Sequence, residues 1–432
     1  MNRKILRLAI PSIISNISIP LLGMVDLALV GHLEGIEYIG GLALGTMIFN
    51  FIYWGFGFLR MGTTGLTSQA YGSRNLRESI LILSRSLLIG GMGGLFILLL
   101  QKPIAMISFY FLEGSEEVEI LAREYFYIRI WAAPATLGLY SIMGWFIGMQ
   151  NTRFPMIITI FVNLLNLGFN LFFVFYMGMK SDGVALGTVL AQYGGLLLSF
   201  ILYWKYYRKL NRHWSYPKMI DARALKKFFS LNKDIFIRTL FLIFAFSFFT
   251  AKSATMGNEI LAINTLLLQY FMFFSYLIDG FAYAAEALSG KYIGARDTVR
   301  LKQTIVRLFV WGALISIPFS LSYFAGGKFI LGLLTNNHDL IESALPYLFW
   351  VALVPVITFP AFLFDGIFIG ATASTGMRNS MIIATLLFYL PVYYLLKNSL
   401  GNHGLWLAFM CFMIGRGVLM WMRLKKEVLS NE

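Results

Sequence analysis

One carboxylate lies inside an otherwise apolar stretch near the start of the chain. Asp26 follows LLGMV and precedes LALV, about five residues, or about 7.5 Å, from the outer end of the apolar stretch if that stretch is helical. A carboxylate at that depth is desolvated, which favours its protonated form. Asp26 can therefore load and release a proton, or bind Na⁺ with amide oxygens. The alternative is a structural hydrogen bond to a neighbouring helix, although carboxylates within membranes are usually functional.

Three amides further along the chain are candidate partners for this carboxylate. Asn163, Asn166 and Asn170 are spaced i, i+3, i+7 and share one face of a helix. Thr188 on the following apolar segment can join them. These groups either complete a cation site with Asp26 or hold helices together by hydrogen bonds worth about 0.6 kcal/mol each.

Two prolines precede Asp26 in the same apolar segment. Pro11 and Pro20 each remove a backbone hydrogen bond and can kink a helix. A bend beside Asp26 would couple its protonation to the shape of the helix, so both prolines are candidate hinges. Passive kinks, which are common in membrane helices, are the other interpretation.

A second group of polar residues lies in the C-terminal half. By helical spacing, Gln269, Asp279 and Glu286 share one stripe. Opposite charges buried at such depth should pair across helices, either as a fixed ion-pair network or as a substrate contact. The candidates are Arg238, Lys252, Gln269, Asp279, Glu286 and Asp365.

The elements that carry these residues are apolar segments long enough to cross a membrane. Of the 432 residues, 58% are hydrophobic and 13% are charged, whereas soluble domains carry about 25% charged residues. A transmembrane helix needs about 20 mostly apolar residues. Twelve segments meet this length, at roughly 5–30, 39–59, 79–101, 121–147, 154–178, 184–204, 234–255, 259–286, 302–325, 343–369, 379–397 and 404–423.

The formal net charge is +14, and the basic residues that produce it are concentrated in particular loops. Basic residues occupy alternate loops, most densely at 205–233, while the loops between them are acidic or nearly neutral, as at 113–119. This alternation is the positive-inside pattern and predicts that both termini are cytoplasmic. The basic balance therefore indicates orientation and not a nucleic-acid partner. We expect the chain to lie in a bacterial plasma (inner) membrane.

The two halves of the chain resemble each other. QAYGSRN at 69–75 matches KYIGARD at 291–297, and FIG at 146–148 matches FIG at 368–370, both about 222 residues apart. Six spans per half give both halves the same orientation, which defines a parallel repeat about an axis along the membrane normal. We therefore predict an all-α membrane protein of twelve transmembrane helices in two six-helix lobes related by a pseudo-two-fold repeat. The domains are an N-terminal lobe (1–204), a cytoplasmic basic linker (205–233) and a C-terminal lobe (234–432).

The sequence offers little for catalysis. It contains no nucleotide-binding G-x-x-x-x-G-K-[ST] loop, and its one cysteine and four histidines suggest no metal-ligand cluster or nucleophile triad. We expect no enzyme activity, cofactor or bound metal. Active transport would then require an ion gradient, of H⁺ or possibly Na⁺.

Several motifs carry a resemblance to a known family. They are PLLGMVD at 20–26, VGHL at 30–33, NKDIFIRTL at 232–240 and DGFAYAAEAL at 279–288. With the twelve-span plan, they resemble the multidrug and toxic compound extrusion family and, within it, the DinF-like branch. The resemblance implies two six-helix lobes and H⁺- or Na⁺-driven export of mostly cationic, amphipathic compounds.

The resemblance also implies roles for single residues. Asp26 falls on the family's carboxylate in span one, and Asn166 and Thr188 match polar members of its N-lobe cation site. Pro11 matches the proline at which span one bends, and Asp365 resembles a carboxylate used in another branch. The chain departs from the pattern at Asn170, where many relatives have a second aspartate, and at span seven, which carries Arg238 and no glutamate.

We therefore expect a monomeric cation-coupled antiporter that exports drugs or toxic metabolites by alternating access. Its partners would be a cationic or amphipathic small molecule and membrane lipid. Two alternatives are a lipid-linked oligosaccharide flippase of the same superfamily and a passive channel. The mixed charges of the C-terminal half argue against the flippase, and the two-lobe repeat with Asp26 favours a carrier over a channel.

Overall fold

The computed structural model describes residues 1–31, 36–111 and 115–430, with the side chains of 22, 24–31 and 36 outside the described set. No strand occurs in these ranges. The α-helices are α1 (Asn2–Gly31), α2 (Ile36–Gly55), α3 (Phe58–Gly72), α4 (Leu76–Leu99), α5 (Gln101–Phe111), α6 (Glu116–Arg129), α7 (Ala133–Gly148), α8 (Arg153–Leu171), α9 (Ser181–Tyr207), α10 (Tyr216–Met219), α11 (Ala222–Thr255), α12 (Asn258–Gly294), α13 (Thr298–Leu334), α14 (His338–Ala344), α15 (Leu348–Gly370), α16 (Ser374–Ile383) and α17 (Leu390–Leu424).

Most of these helices, alone or end to end, are long and apolar enough to cross a membrane. The described residues contain 11 such helical stretches, and the last, Ser374–Leu429, is 56 residues long. That stretch contains two predicted spans, which are separated at Gly401, where the backbone leaves the helical conformation with φ 50°. Glycine adopts this conformation without a steric penalty. The twelve-span prediction is therefore confirmed.

The internal repeat is visible in the backbone at four residues with positive φ that are not glycine. Arg74 and Arg296 have φ of 57° and 53°, and Gln150 and Thr372 have φ of 64° and 55°. Both pairs are 222 positions apart. Because such conformations are uncommon for non-glycine residues, their recurrence at one offset confirms the repeat.

Helix caps and close helix contacts follow the same offset. Asn75 caps α4 by accepting from the Glu78 amide at 3.0 Å, and Asp297 caps α13 by accepting from the Arg300 amide at 2.9 Å. A Cβ atom at Gly366 in α15 would lie 2.3 Å from the carbonyl oxygen of Ala282, so this glycine lets α12 and α15 meet at backbone distance. Gly144 in α7 approaches α3 in the same way. The repeat thus reproduces helix ends and helix packing.

The helices form two compact units. One contains Ile14–Phe229, and the other contains Met1–Ile13 together with Ser230–Glu432. Residues 1–13 therefore belong to the same compact unit as the C-terminal half, whereas the predicted N-terminal lobe contained residues 1–204. The reason is packing at Gly280, where a Cβ atom would lie within 3.0 Å of both Ile13 and Ala9. Because Gly280 has no side chain, the start of α1 packs tightly against α12 at this position.

The unit Ile14–Phe229 has an aromatic-rich core. Phe49 of α2 stacks on Phe126 of α6 with ring centroids 5.4 Å apart. A neighbouring cluster surrounds Trp145 of α7, whose indole nitrogen donates to the Ser79 carbonyl at 2.8 Å. These contacts hold α2 against α6 and α4 against α7.

The segment predicted as a basic linker, 205–233, is largely helical. It contains the end of α9, a 3₁₀ segment (Arg208–His213), α10 and the first three turns of α11. Buried Arg85 of α4 holds it in place by donating to the carbonyls of Met219 at 3.0 Å and Lys218 at 2.6 Å. These hydrogen bonds tether the backbone of the predicted basic linker to α4.

Candidate functional site

The predicted amide face of α8 forms a buried hydrogen-bond chain within the unit Ile14–Phe229. Asn170 donates to Asn166 at 3.0 Å, Asn166 donates to Thr188 at 3.0 Å, and Thr188 donates to the Val184 carbonyl at 2.9 Å. All three side chains are at most 7% exposed. Gly187 of α9 makes room, since a Cβ atom there would lie 2.1 Å from the Asn170 Oδ1 atom. The structure therefore brings the three predicted residues together.

The same face of α8 lies against α1. Ser15 donates to Thr159 at 2.9 Å, and Asn163 donates to the Ser18 carbonyl at 3.0 Å. The contact with the higher residue number in α1 also has the higher residue number in α8, so the two helices run parallel. Each residue of α1 lies level with the residue about 145 positions later in the chain, on α8. Small polar side chains at these points allow the close approach.

The remaining predicted residues of this site lie on α1. Asp26 belongs to the helix, but its side chain lies outside the described residues. Pro11 is buried and Pro20 is partly exposed. The boundary between the two compact units falls after Ile13, between the two prolines. Their role as hinges stays a prediction.

The C-terminal unit contains a buried cluster of two arginines and one aspartate. Asp365 Oδ2 accepts from Arg238 of α11 and from Arg416 of α17, the latter at 2.6 Å. The three residues are at most 6% exposed. The predicted pairing across helices therefore holds for Arg238 and Asp365. Arg416 also lies over the Phe412 ring, with its guanidinium carbon 5.6 Å from the ring centroid.

This cluster is not balanced in charge or hydrogen bonding. Its three members carry one net positive charge, and the negative charge of Asp279 also acts on Arg416. In the described ranges, Asp365 Oδ1, Arg238 Nε and Arg416 Nε have no hydrogen-bond partner. The sequence analysis missed Arg416. A lone arginine in the apolar run MIGRGVLM should have suggested it, because a buried cation requires an anion.

The other predicted residues of this half have different environments. Lys252 lies over the Phe248 ring at 5.5 Å, and Gln269 is exposed. Asp279 is partly exposed, whereas Glu286 is 2% exposed at the contact between α12 and α15. Arg238 and Asp365 are paired, and the charge of Asp279 acts on Arg416 of the same cluster. A single site made of all six predicted residues stays a prediction.

Among the side chains that the structure describes, which do not include that of Asp26, no three from His, Cys, Asp or Glu are grouped closely enough to hold a metal ion. The amide chain offers hydrogen-bonding capacity without charge, and the arginine cluster is cationic. Polar and ionisable residues inside membrane helices usually pair with one another and mark ion or substrate pathways.

Twelve apolar spans with a parallel internal repeat and buried charges define the class of secondary transporters. The MatE family model matches residues 11–172 and 235–395, one match in each half. DNA damage-inducible protein F of Escherichia coli K12 is 38% identical over 417 residues, covering 95% of this chain and 89% of that protein. Multidrug and toxin extrusion protein 1 of Oryctolagus cuniculus is 25% identical, covering 96% of this chain and 73% of that protein.

Solved structures give the same result for the fold. The bent form of the Vibrio cholerae MATE transporter VcmN superposes with a TM-score of 0.88 at 19% identity, covering 99% of this chain and 97% of that one. The chain therefore belongs to the multidrug and toxic compound extrusion (MatE) family of transporters, in its DinF-like branch.

Proposed function

We propose that this chain is a proton-coupled antiporter that exports amphipathic, mostly cationic compounds by alternating access. The observation that carries the proposal is the buried amide chain of Asn170, Asn166 and Thr188 beside the parallel helix α1. Continued along α1, the register of 145 puts position 26 level with residue 171, next to Asn170. Asp26 is then the titratable group of a site otherwise made of neutral amides. The names of the relatives, which include multidrug and toxin extrusion proteins, support export of drug-like cargo.

The hydrogen bonds of the amide chain favour H⁺ over Na⁺. Asn166 Oδ1 already accepts from Asn170, and the Thr188 hydroxyl both donates and accepts. Hard cations require several oxygen ligands at once, and only one carboxylate would be available. A proton needs only the carboxylate itself, and neighbouring amides can stabilise either of its protonation states.

The arginine cluster has a different role in this proposal. Two arginines hold Asp365 in an ion pair, so this carboxylate supports the C-terminal unit and does not carry the coupling ion. The acidic residues of α12, Asp279 and Glu286, are the candidates for attracting cationic cargo. Cargo recognition and ion coupling would then use different residues on different helices.

Transport by the purified protein in liposomes tests the function directly. With a pH gradient and no Na⁺, we expect accumulation of a cationic dye against its concentration gradient. A strict requirement for Na⁺ would contradict proton coupling. A passive channel would only equilibrate the dye, and a lipid-linked oligosaccharide flippase would move lipid-linked sugar and leave the dye behind. We expect a monomer without enzyme activity or nucleic-acid partner.

Both termini and the segment 205–233 are expected to be cytoplasmic. In a background with Cys411→Ser, a single cysteine at Arg212 should react with a membrane-impermeant maleimide only in inverted vesicles. The physical reason is the excess of Lys and Arg in this segment. A cysteine at Glu116, in an acidic loop, is the matched control and should react from outside intact cells. Reaction of the Arg212 position from outside would contradict the topology.

Glu286→Gln is expected to weaken binding of a cationic drug more than binding of its neutral analogue. A unit charge about 10 Å from the drug contributes ~1.7 kcal/mol at an effective dielectric constant of about 20, or more than tenfold in affinity. Glu259→Gln, at the exposed start of the same helix, is the matched control and should leave binding unchanged. Fluorescence titration of the purified protein measures both affinities. Equal losses for drug and analogue would indicate that Glu286 is purely structural.

A further inference from the structure

A cavity that is open to the outside lies in the unit Ile14–Phe229, and none of its lining residues belongs to the amide chain. Its volume is about 370 Å³, and its walls are formed mainly by Ile80, Leu83 and Leu87 of α4 and Phe200 of α9. The volume falls in the range of ligand pockets, about 300–1,000 Å³. The apolar walls exclude a polar ligand from the interior.

Two of the polar residues that line the cavity, Asn211 and Trp214, lie in or directly after the 3₁₀ segment Arg208–His213. Trp214 donates from its indole nitrogen to the Ser84 hydroxyl at 3.1 Å, and the Tyr203 hydroxyl donates to Asn211. Both hydrogen bonds join the segment after α9 to the wall of the cavity. The cavity therefore has an apolar body with hydrogen-bonding groups at the edge formed by residues 211–214.

Basic residues adjoin this edge in the sequence. Lys205, Arg208, Lys209 and Arg212 are exposed and, within the described part of the chain, form no ion pair. The sequence contains no acidic residue between Asp182 and Asp221. The neighbouring Trp204 and Tyr206 are 60% and 58% exposed, as aromatic residues at a membrane–water interface are. The edge of the cavity therefore lies where lipid headgroups and basic residues meet.

We propose that this cavity binds an anionic phospholipid. One acyl chain occupies the space between Leu83, Leu87 and Phe200, and the phosphate contacts Arg208 and Arg212. An apolar cavity beside an unbalanced cationic surface matches a molecule with an apolar tail and an anionic head, and basic pockets between transmembrane helices bind such headgroups. The lipid would hold the segment after α9 against α4, in addition to the contacts made by Arg85.

Native mass spectrometry of the delipidated protein in detergent tests this site. Dioleoyl phosphatidylglycerol should bind more tightly than dioleoyl phosphatidylcholine. The double change Arg208→Gln with Arg212→Gln should weaken phosphatidylglycerol binding by about fivefold per charge, with little effect on phosphatidylcholine. Leu87→Trp, which fills the cavity, should weaken binding of both lipids.

Matched controls separate the site from general effects. Leu88→Trp changes a 40% exposed neighbour on the same helix, and Lys226→Gln removes an exposed charge on α11, so both should leave binding unchanged. The arginine variants alter no packed side chain and remain informative if Leu87→Trp does not fold. Unchanged phosphatidylglycerol binding in the arginine or Leu87 variants would overturn the proposal. Competition by glycerol 3-phosphate as strong as that of the lipid would also overturn it, because an anion alone would then be the ligand.

Discussion

Asp26→Asn is expected to abolish gradient-driven efflux while leaving membrane insertion and drug binding largely intact. Asparagine cannot exchange a proton, so movement of cargo no longer requires movement of H⁺. For one proton exchanged per cargo molecule, a gradient of one pH unit supplies ~1.4 kcal/mol and supports a cargo concentration ratio of about ten. The variant should reach a ratio of about one. Dye accumulation in liposomes at a series of imposed pH gradients measures this ratio.

Asp26→Glu is the matched control, because it keeps a titratable carboxylate in the same helix. It should retain a cargo ratio that rises with the pH gradient, even if its rate is lower. Drug affinity should be similar in the wild-type protein and both variants, which separates coupling from binding. Accumulation by Asp26→Asn against a gradient would show that another residue carries the proton.

Asp365→Asn is expected to destabilise the protein by about 3–5 kcal/mol, the cost of leaving buried charges without their partner. Arg238 and Arg416 would then lose the carboxylate that both of them contact. Arg238→Gln should cost much less, because Asp365 and Arg416 remain as a neutral pair joined at 2.6 Å. Unfolding in detergent at increasing denaturant, followed by circular dichroism, measures both changes.

The double variant Asp365→Asn with Arg238→Gln provides the internal control for this ion cluster. It has a single unpaired arginine, so its loss of stability should be smaller than that of Asp365→Asn alone. Such coupling between the two substitutions is the signature of a direct charge interaction. A loss below about 0.5 kcal/mol in Asp365→Asn, the range of ordinary surface substitutions, would mean that the carboxylate does not stabilise the cluster and would reopen a role in ion coupling.

Local patterns in the sequence were sufficient for the architecture. Apolar length predicts each span, loop charge predicts orientation, and the matching loops at 69–75 and 291–297 predict the repeat that recurs in the backbone at Arg74 and Arg296. These features depend on residues close together in the chain or on periodicity, so no knowledge of packing is required. The amide chain could also be predicted in part from the sequence, because the spacing of Asn166 and Asn170 already places them on one helix face.

Contacts between distant segments required the tertiary structure. The pairing of Asp365 with Arg416, 51 positions later, depends on how α15 and α17 pack. The basic residues that the sequence analysis assigned to this group were Arg238 and Lys252. Arg85 binds the carbonyls of Lys218 and Met219, more than 130 positions away, and so ties the predicted linker to α4. A charged side chain in an apolar helix reveals that a partner must exist. Which partner it meets depends on how the helices rotate and pack, and this is visible only in the tertiary structure.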